Sequence, residues 1–431
     1  MKLKDWMLSV RGKIPTLSDK FSFLSQEEDE NVNEGQDADS EEEDLERGLM
    51  QRIIGHRSAK QRMYLAAVIL AAAAVIGFLV YDRLVTYNGY TIAASYENTA
   101  ATGTAYVAAG KNILKYNADG ITCVSKNNDL KWSVTYSMQS TISDVCGTTM
   151  AVAEQHGTQI YVAGKDGELG HFETDNPILK VRVSGQGVVA AVLQDDNVTW
   201  VNLYRPDGTL IVSDKTTMME SGYPVDVAVS PDGEMMAVSY VQITGGVLSD
   251  TVTFYNFGTA GQKKENHVVG SETFEGAVIP EIYFVDNSRA VAVTDSGYVV
   301  FSGSSTPEKT ASTEFEEEIL SCFHEGDTIG FVFDSEDTEN RYRICLYNLK
   351  GKKKKEFMTD FSYSDIKMEN GQILMYSDND LAVYTSSGHL RFQSSYQNKV
   401  VGFYYFSEYR KYLVITSESF DRIRIESGGG E

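Results

Sequence analysis

Histidine is the side chain most often used as a base or a metal ligand near neutral pH, and it is sparse in this chain. The sequence has 6 histidines among 431 residues. None of them forms an HExxH motif or a comparable pair of zinc ligands, and the cysteines form no CxxC motif. We therefore predict no enzyme: no catalytic residue, no cofactor or cofactor-binding residue and no metal ligand. We expect five of the histidines to be single surface residues on strand ends and turns: His156, His171, His267, His324 and His389.

An acidic loop is the best candidate for a cation site. Asp334–Asn340 carries oxygen ligands at alternate positions, and Ca²⁺ prefers such ligands. The loop lacks the central glycine and the closing glutamate of a calcium-binding loop. A long, solvated hairpin tip is therefore the favoured interpretation.

Basic and aromatic runs offer candidate binding surfaces. Lys352–Lys355 follows Gly351, and Lys263–Lys264 follows Gly258. Such lysines can contact anionic wall polymers or lipid headgroups, but the favoured interpretation is that they protect an exposed strand edge. The run Tyr404–Phe406 leaves two alternatives open, an exposed binding face or packing between strands.

The cysteines form two pairs, Cys123 with Cys146 and Cys322 with Cys345, and each pair has the same separation of 23 residues. An oxidising compartment would permit two disulfides. However, each cysteine lies within an apolar, strand-like run, where a free cysteine packs as a small hydrophobe. Four buried free thiols are the favoured interpretation, with the disulfides as the alternative.

A predicted membrane span separates two very different parts of the chain. Met63–Tyr81 has 19 residues without a charge, and a helix of that length rises about 28 Å, close to the thickness of a bilayer's hydrocarbon core. Five basic residues lie between Arg47 and Arg62, whereas only Arg83 is basic just after the span. Because cationic flanks stay in the cytoplasm, we predict a single-pass protein of the cell membrane. Its N-terminus would be cytoplasmic, its C-terminal domain extracytoplasmic, and the bilayer the partner of Met63–Tyr81.

The segment before the span is predicted to be an acidic, largely disordered cytoplasmic tail. Residues 27–46 hold 12 acidic residues and no basic one, so self-repulsion and low apolar content oppose folding. This stretch is either a spacer or a docking surface for a basic cytoplasmic partner. The net charge of the whole chain, −23, argues against nucleic acid as a partner.

The chain after the span is predicted to be all-β and repetitive. Short runs of β-branched and aromatic residues alternate with turn residues. Seven times an apolar run ends at a glycine turn, at intervals of 37 to 50 residues, which is the length of one four-stranded propeller blade. We interpret this mark as the outer hairpin turn of each blade, with glycine at positive φ. The seven glycines are Gly120, Gly167, Gly208, Gly258, Gly303, Gly351 and Gly388.

A second mark, a strand–turn–strand unit, predicts the inner hairpin of each blade and is clearest at Val225–Ser239. Seven outer marks predict a β-propeller of seven blades, with six or eight as alternatives. Because open sheet edges invite aggregation, the strand Tyr90–Tyr96 should complete the last blade beside Arg422–Ile425. The predicted domains are a cytoplasmic tail (1–62), a transmembrane helix (63–81), a stalk (82–89), an extracytoplasmic β-propeller (90–426) and a flexible C-terminus (427–431).

Two stretches resemble known propeller repeats. VAVSPDGEMMAVS, Val227–Ser239, resembles a WD40 repeat. Ile113–Trp132 is similar to the quinoprotein-like repeat, in which a tryptophan after a glycine turn docks between blades, and Trp132 occupies that position. The overall plan resembles an uncharacterised family of bacterial single-pass membrane proteins with an extracytoplasmic propeller. This resemblance implies a fold rather than an activity.

The expected function is therefore a non-enzymatic binding or scaffolding module for envelope proteins or glycans, which would be held by the loops at one end of the propeller. The alternative is a transmembrane sensor or coupling protein that signals through the acidic tail. A quinoprotein-like or glycan-acting enzyme is the remaining alternative. A hydrolase would require clustered carboxylates with raised pKa values at the mouth of the central channel.

Overall fold

The computed structural model describes residues 63–77, 81, 84–101, 103–196, 198–219, 221–406 and 408–428. The chain divides into two compact units, Met1–Leu79 and Val80–Glu431. The predicted cytoplasmic tail, with its acidic segment 27–46, lies outside the described residues. So do residues 78–80 of the predicted span and residues 429–431 of the predicted flexible end.

The described part of the first unit is a helix, α1, over residues 63–77, and its side chains are exposed. Among the described residues, no helix combines the length and the apolar composition that a bilayer crossing needs.

The second unit is built from sheets of four antiparallel strands, and the described residues form eight of them. Blade 1 contains β2 (Ala105–Ala109), β3 (Asn112–Asn117), β4 (Gly120–Ser125) and β5 (Leu130–Thr135). Blade 2 contains β6 (Thr141–Cys146), β7 (Thr149–Glu154), β8 (Gln159–Gly164) and β9 (Gly167–Glu173). Blade 3 contains β10 (Ile178–Val183), β11 (Val189–Asp195), β12 (Val198–Tyr204) and β13 (Leu210–Thr216). Blade 4 contains β14 (Tyr223–Val229), β15 (Met235–Thr244), β16 (Val247–Asn256) and β17 (Val268–Glu275).

The other four blades follow in chain order. Blade 5 contains β18 (Glu281–Asp286), β19 (Arg289–Thr294), β20 (Gly297–Ser302) and β21 (Glu308–Glu314). Blade 6 contains β22 (Ser321–Glu325), β23 (Thr328–Asp334), β24 (Tyr342–Asn348) and β25 (Lys353–Thr359). Blade 7 contains β26 (Asp365–Glu369), β27 (Gln372–Tyr376), β28 (Asp380–Thr385) and β29 (Leu390–Ser395). Blade 8 contains β30 (Val400–Tyr405), β31 (Lys411–Thr416), β32 (Ser419–Glu426) and β1 (Gly89–Glu97).

The hydrophobic core lies between neighbouring blades because each sheet buries both faces. In β8, Ile160 and Val162 are fully buried, whereas the alternate residues Gln159 and Tyr161 are half-buried. Ile160 and Val162 pack with Val189 of the next blade in one cluster. The alternation read from the sequence therefore places apolar side chains against the adjacent sheet.

The strands of blade 8 close the ring. β1 pairs antiparallel with β32, and Tyr90 lies opposite Ile425. The prediction that the first strand of the domain completes the last blade is confirmed. Tyr87, within the segment predicted to be a stalk, is almost fully buried and forms a bridge with Phe392 of blade 7.

The described ring has eight blades, so the count of seven was one too few. The outer strand of blade 8 comes from the start of the domain, and that blade therefore has no outer hairpin turn to mark it. The glycine mark identifies the outer turn in six blades, but Gly120 lies in the middle hairpin of blade 1, between β3 and β4. The predicted inner hairpin at Val225–Ser239 does join the first two strands of its blade, β14 and β15, and its turn at Gly233 has a positive φ of 75°.

In each of the seven blades that end in a hairpin, the outer strand contains one extra residue, which forms a β-bulge one or two positions from the start of that strand. We call the residue just after the bulge the rim position. Its backbone lies near the outer turn of the next blade: at Gly170, an added Cβ would lie 2.1 Å from the carbonyl oxygen of Pro206. The seven rim positions are Trp132, Gly170, Val212, Gly270, Ala311, Lys355 and Phe392.

Candidate functional site

The first strand of each blade faces the centre of the ring. The first strands of neighbouring blades contact each other: β6 contacts β10, β10 contacts β14, β14 contacts β18, and β30 contacts β2. Polar side chains on these strands therefore meet around a central channel, although they are far apart in sequence.

The most deeply buried charge on these strands is Asp226 of β14, which is fully buried. Its Oδ1 atom accepts hydrogen bonds from Lys180 Nζ at 3.0 Å and from an Arg182 guanidinium nitrogen at 2.9 Å. Its Oδ2 atom accepts the backbone N–H of Ile282 at 2.9 Å. One carboxylate thus joins blades 3, 4 and 5, and its buried charge is balanced by two cations.

The same device recurs at other interfaces between blades. Asp144 accepts the backbone N–H of Val183 in the next blade at 2.7 Å, and Glu369 accepts that of Tyr405 at 2.7 Å. Glu325 accepts two backbone N–H groups from the inner turn of blade 7. Carboxylates on the first strands therefore link neighbouring blades. They provide hydrogen-bond acceptors for backbone N–H groups at the inner edge of the next blade, which would otherwise lack a partner.

A cavity of about 300 Å³ in the channel is lined by residues of blades 2 to 6, among them Asp144, Arg182, Glu281, Tyr283 and His324. The rings of Tyr283 and His324 are stacked, with centroids 3.7 Å apart. Burial raises the pKa of Asp144, and burial together with the charge of Asp226 raises the pKa of Glu281. Two carboxyl groups with raised pKa values, those of Asp144 and Glu281, therefore border this cavity.

One surface projects from the ring at blade 4. β14 pairs with β15 only as far as Val241, and β17 pairs with β16 only from Ser249. The hairpin between these two residues continues to pair with itself up to Thr244 and Val247. It therefore extends beyond its own sheet.

The side chains on this projection are apolar and exposed. Ile243 is 67% exposed and Val247 53%, and in the loop before β14 Met219 is 88% and Met218 51% exposed. Gln242 Nε2 donates a hydrogen bond to the carbonyl oxygen of Met219 at 3.2 Å, which ties the loop to the hairpin. We call the surface formed by these apolar side chains the blade 4 tip: Met218, Met219, Tyr223, Ile243 and Val247.

The acidic loop Asp334–Asn340 lies at a hairpin tip between β23 and β24, as the favoured interpretation predicted. It borders a cleft of about 560 Å³ together with Glu317 and Glu318. Arg343 in this cleft forms ion pairs with Glu317 and Glu356. Within the described part of the chain, no three His, Cys, Asp or Glu side chains group as metal ligands.

All four cysteines are free thiols, as the favoured interpretation predicted, but the predicted burial holds for only two of them. Cys123 and Cys345 are buried, and the other two are half-buried. Burial raises the pKa of Cys345 to about 11, with Arg343 opposing the shift. Cys322 and Cys345 both lie beside Phe331, one on each side, so the middle strand β23 separates them. Cys123 and Cys146 belong to different blades.

The aromatic run at Tyr404 packs between strands, because Tyr404 and Phe406 are buried. Trp132 docks between blades 1 and 2 as the resemblance implied: its Nε1 atom donates to the carbonyl oxygen of Lys165 at 3.0 Å. His324 faces the channel cavity. The other four predicted surface histidines lie elsewhere: His171 on an outer strand and His156, His267 and His389 in turns or strand connections.

The blade 4 tip is not among the residues predicted from the sequence. Its signal was the interval of 50 residues between Gly208 and Gly258, the longest between two marks, with the turn Gly245–Gly246 flanked by apolar residues. The channel cluster had no comparable signal, because its members come from separate blades.

The family of unknown function DUF5711 matches residues 83–425, which is the whole ring apart from Glu426, the last residue of β32. The chain belongs to this family. A comparison with curated proteins gives no match.

Several solved structures are similar to this member of the family. BamB from Moraxella catarrhalis is 10% identical, with 78% of this chain and all of BamB covered at a TM-score of 0.49. Sqt1 from Saccharomyces cerevisiae is 11% identical, with 80% of this chain and all of Sqt1 covered at a TM-score of 0.49. The WD40 domain of Neurospora crassa Pan2 is 10% identical, with 66% of this chain and 87% of that chain covered at a TM-score of 0.40.

Proposed function

We propose that this protein is a membrane-anchored binding module whose propeller holds a protein partner on the extracytoplasmic side through the blade 4 tip. The single observation that carries the proposal is the exposed apolar surface on the projecting hairpin. Met219 and Ile243, the two most exposed side chains of the tip, lie on adjacent segments and present apolar atoms to solvent. Contiguous exposed apolar surface with a polar rim is typical of sites that another protein covers.

The negative net charge of the chain disfavours nonspecific association with other proteins and leaves the apolar tip as the favoured contact. The chain carries a net charge of −23, which keeps most of its surface repulsive toward copies of itself and toward acidic proteins. An apolar projection on such a surface gains free energy only where a partner removes it from water. In this proposal the tip is the central contact and the polar residues around it form the rim.

Membrane anchoring is the second part of the proposal. Residues 63–81 would span the bilayer with residues 1–62 in the cytoplasm, because the sequence before the span carries the excess of Lys and Arg. The propeller would then bind its partner close to the outer face of the membrane.

Proximity labelling from a tag at Glu431 in the full chain tests both parts. The variant Met219→Asp/Ile243→Asp should lose the partner that the wild-type chain labels. The matched control is Leu130→Asp/Leu210→Asp, which places the same two charges at exposed leucines on the outer strands β5 and β13. This control should label the same partner as the wild type.

Retention of the partner by Met219→Asp/Ile243→Asp would contradict the role of the tip. The same experiment with a tag at Met1 tests the topology. A tag at Glu431 that labels cytoplasmic proteins would show that the propeller is on the other side.

A glycan-acting hydrolase is the second candidate, and one observation favours it: Asp144 and Glu281, both with raised pKa values, border the same channel cavity. A carboxyl with a raised pKa is suited to act as a general acid. Purified full chain should then release reducing sugar from envelope glycans, and Glu281→Gln should abolish the release. Equal release by wild type and Glu281→Gln would contradict this function.

A further inference from the structure

The rim position of blade 6 departs from the pattern of the other blades. Six of the seven described rim positions hold Trp, Phe, Val, Ala or Gly and are buried or half-buried. The seventh is Lys355, which is exposed. Lys355 pairs across the sheet with Leu346. Trp132 pairs with Cys123 in the same position of blade 1, so Lys355 and Trp132 are equivalent residues. A lysine therefore stands where the fold otherwise places a packing residue or a glycine.

An open cleft results from this exchange. Between blades 6 and 7 lies a cavity of about 340 Å³ whose floor includes Leu346. The bulge adds Lys354 just before Lys355, and both lysines line the same cavity. The opposite wall is the outer turn of blade 7, which contributes Ser386 and Ser387.

The polar groups of this cleft suit an anion. Lys354 Nζ donates to the hydroxyl of Thr328 at 2.9 Å, which holds one ammonium group at the cavity wall. No acidic residue lines the cleft, and among the described residues neither Lys354 nor Lys355 has a carboxylate within ion-pair distance. The nearest carboxylate in the strand, Glu356, pairs instead with Lys353.

The charge around the cleft is concentrated although the chain as a whole is acidic. Five of the six residues from Lys350 to Lys355 are lysines, in a chain with a net charge of −23. Edge protection explains exposed lysines on an outer strand, but it does not explain a hydroxyl-lined cavity beneath two of them. Two ammonium groups and two serine hydroxyls can together satisfy the oxygens of one phosphoryl group.

We infer that the cleft between blades 6 and 7 binds a phosphoryl anion, with Lys354 and Lys355 as counterions and Ser386 and Ser387 as hydrogen-bond donors. The phosphoryl group can come from inorganic phosphate, from a soluble phosphodiester polymer or from a lipid headgroup. This site lies at the outer rim of blade 6 and is independent of the blade 4 tip.

Titration of the full chain in a neutral detergent, at constant ionic strength, tests the site. Three probes are used: inorganic phosphate, soluble poly(glycerol phosphate), and mixed micelles of the same detergent with phosphatidylcholine, prepared with and without phosphatidylglycerol. The variant Lys354→Ala/Lys355→Ala should bind the recognised probe at least tenfold more weakly than the wild type. The matched control is Lys263→Ala/Lys264→Ala, an exposed lysine pair after Gly258 that removes the same charge.

The probe that binds identifies the source of the phosphoryl group. Binding of phosphate, of the polymer or of the micelles that contain phosphatidylglycerol supports the inference if only the Lys354→Ala/Lys355→Ala variant is weakened. Failure of all three probes would overturn it, and so would an equal weakening in both variants, since that would indicate only general electrostatic attraction. Lys355→Val, which restores a residue type found at this position in blade 3, keeps the test valid if the double variant does not fold.

Discussion

The interface between blades 1 and 2 and the interface between blades 6 and 7 are built on the same backbone but are sealed differently. At the first, Trp132 fills the rim position, and its indole hydrogen-bonds to the outer turn of blade 2. At the second, Lys355 occupies the equivalent position and the outer turn of blade 7 faces an open cleft. The bulge fixes where the rim side chain points, so its identity decides whether the interface is closed.

Packing just inside the rim is preserved at the open interface. Phe357, two residues after Lys355, lies against Gly388 of blade 7, where an added Cβ would be 2.9 Å from the phenylalanine. Phe172 lies against Gly208 of blade 3 in the same way. Only the outermost layer of the blade 6–7 interface has been exchanged, and an exposed layer contributes least to folding. The outer rim is therefore where this fold can add a binding site with little loss of stability.

The largest effect is expected from Trp132→Ala, which opens the closed interface. Truncating a fully buried large aromatic side chain costs about 3–5 kcal/mol, and Trp132 is half-buried, so we expect a loss of about 2 kcal/mol. Thermal unfolding of the full chain measures it. Lys355→Ala is the control and should change stability by less than about 0.5 kcal/mol. Equal losses would mean that the two interfaces are not sealed differently.

Glu325→Ala should have the next largest effect, because it removes the inner link of the open interface. Glu325 accepts the N–H groups of Asn370 at 2.6 Å and Gly371 at 2.8 Å. Loss of these partly exposed hydrogen bonds should destabilise the protein by about 1–2 kcal/mol. Hydrogen exchange at Asn370 and Gly371 should accelerate in this variant. Unchanged exchange would show that the inner link does not hold the interface.

Lys355→Val should close the open interface and raise stability. Valine is the rim residue of blade 3, and cavity-filling changes of this kind commonly add about 0.5–1 kcal/mol. An increase in the melting temperature, accompanied by loss of phosphoryl binding, is the expected result. A decrease would indicate that the lysine stabilises the interface.

The smallest effect is expected from Glu281→Gln, and it depends on pH. Burial raises the pKa of Glu281 in the folded protein above its ordinary value of 4.5. The folded protein therefore binds the Glu281 proton more tightly than the unfolded chain does. The protonated carboxyl is favoured by burial and the carboxylate is not, so the free energy of unfolding decreases as the pH rises from 4.5 through the folded-state pKa. Glutamine removes this loss. The melting temperature of the variant relative to wild type should therefore be higher at pH 7 than at pH 4.

Glu281 lies at the channel and belongs to neither of the two rim interfaces. A pH series therefore distinguishes changes in stability at the channel from changes at the rim. The difference in stability between Trp132→Ala and wild type should not change between pH 4 and pH 7. A pH-dependent difference for Trp132→Ala would mean that the rim and the channel are coupled.

Much of the fold could be predicted because its signals are local. The alternation in β8 and the turn at Gly233 each depend on neighbouring residues. The number of blades could not be counted correctly, since the outer strand of blade 8 lies more than 300 residues from β32. The docking role of Trp132 was predictable from resemblance, but the equivalent position of Lys355 was not, because it is defined by strand register.

The sequence by itself determined that the chain has an acidic tail, an uncharged apolar segment and a repeating β domain, because composition and short-range periodicity encode these features. Only the tertiary structure decided which side chains meet. Asp226 is joined to Lys180 from the preceding blade, and Lys355 faces Ser387 of the following one. Packing between sheets in the closed ring sets these contacts. No local sequence pattern indicates which residues of different blades become neighbours.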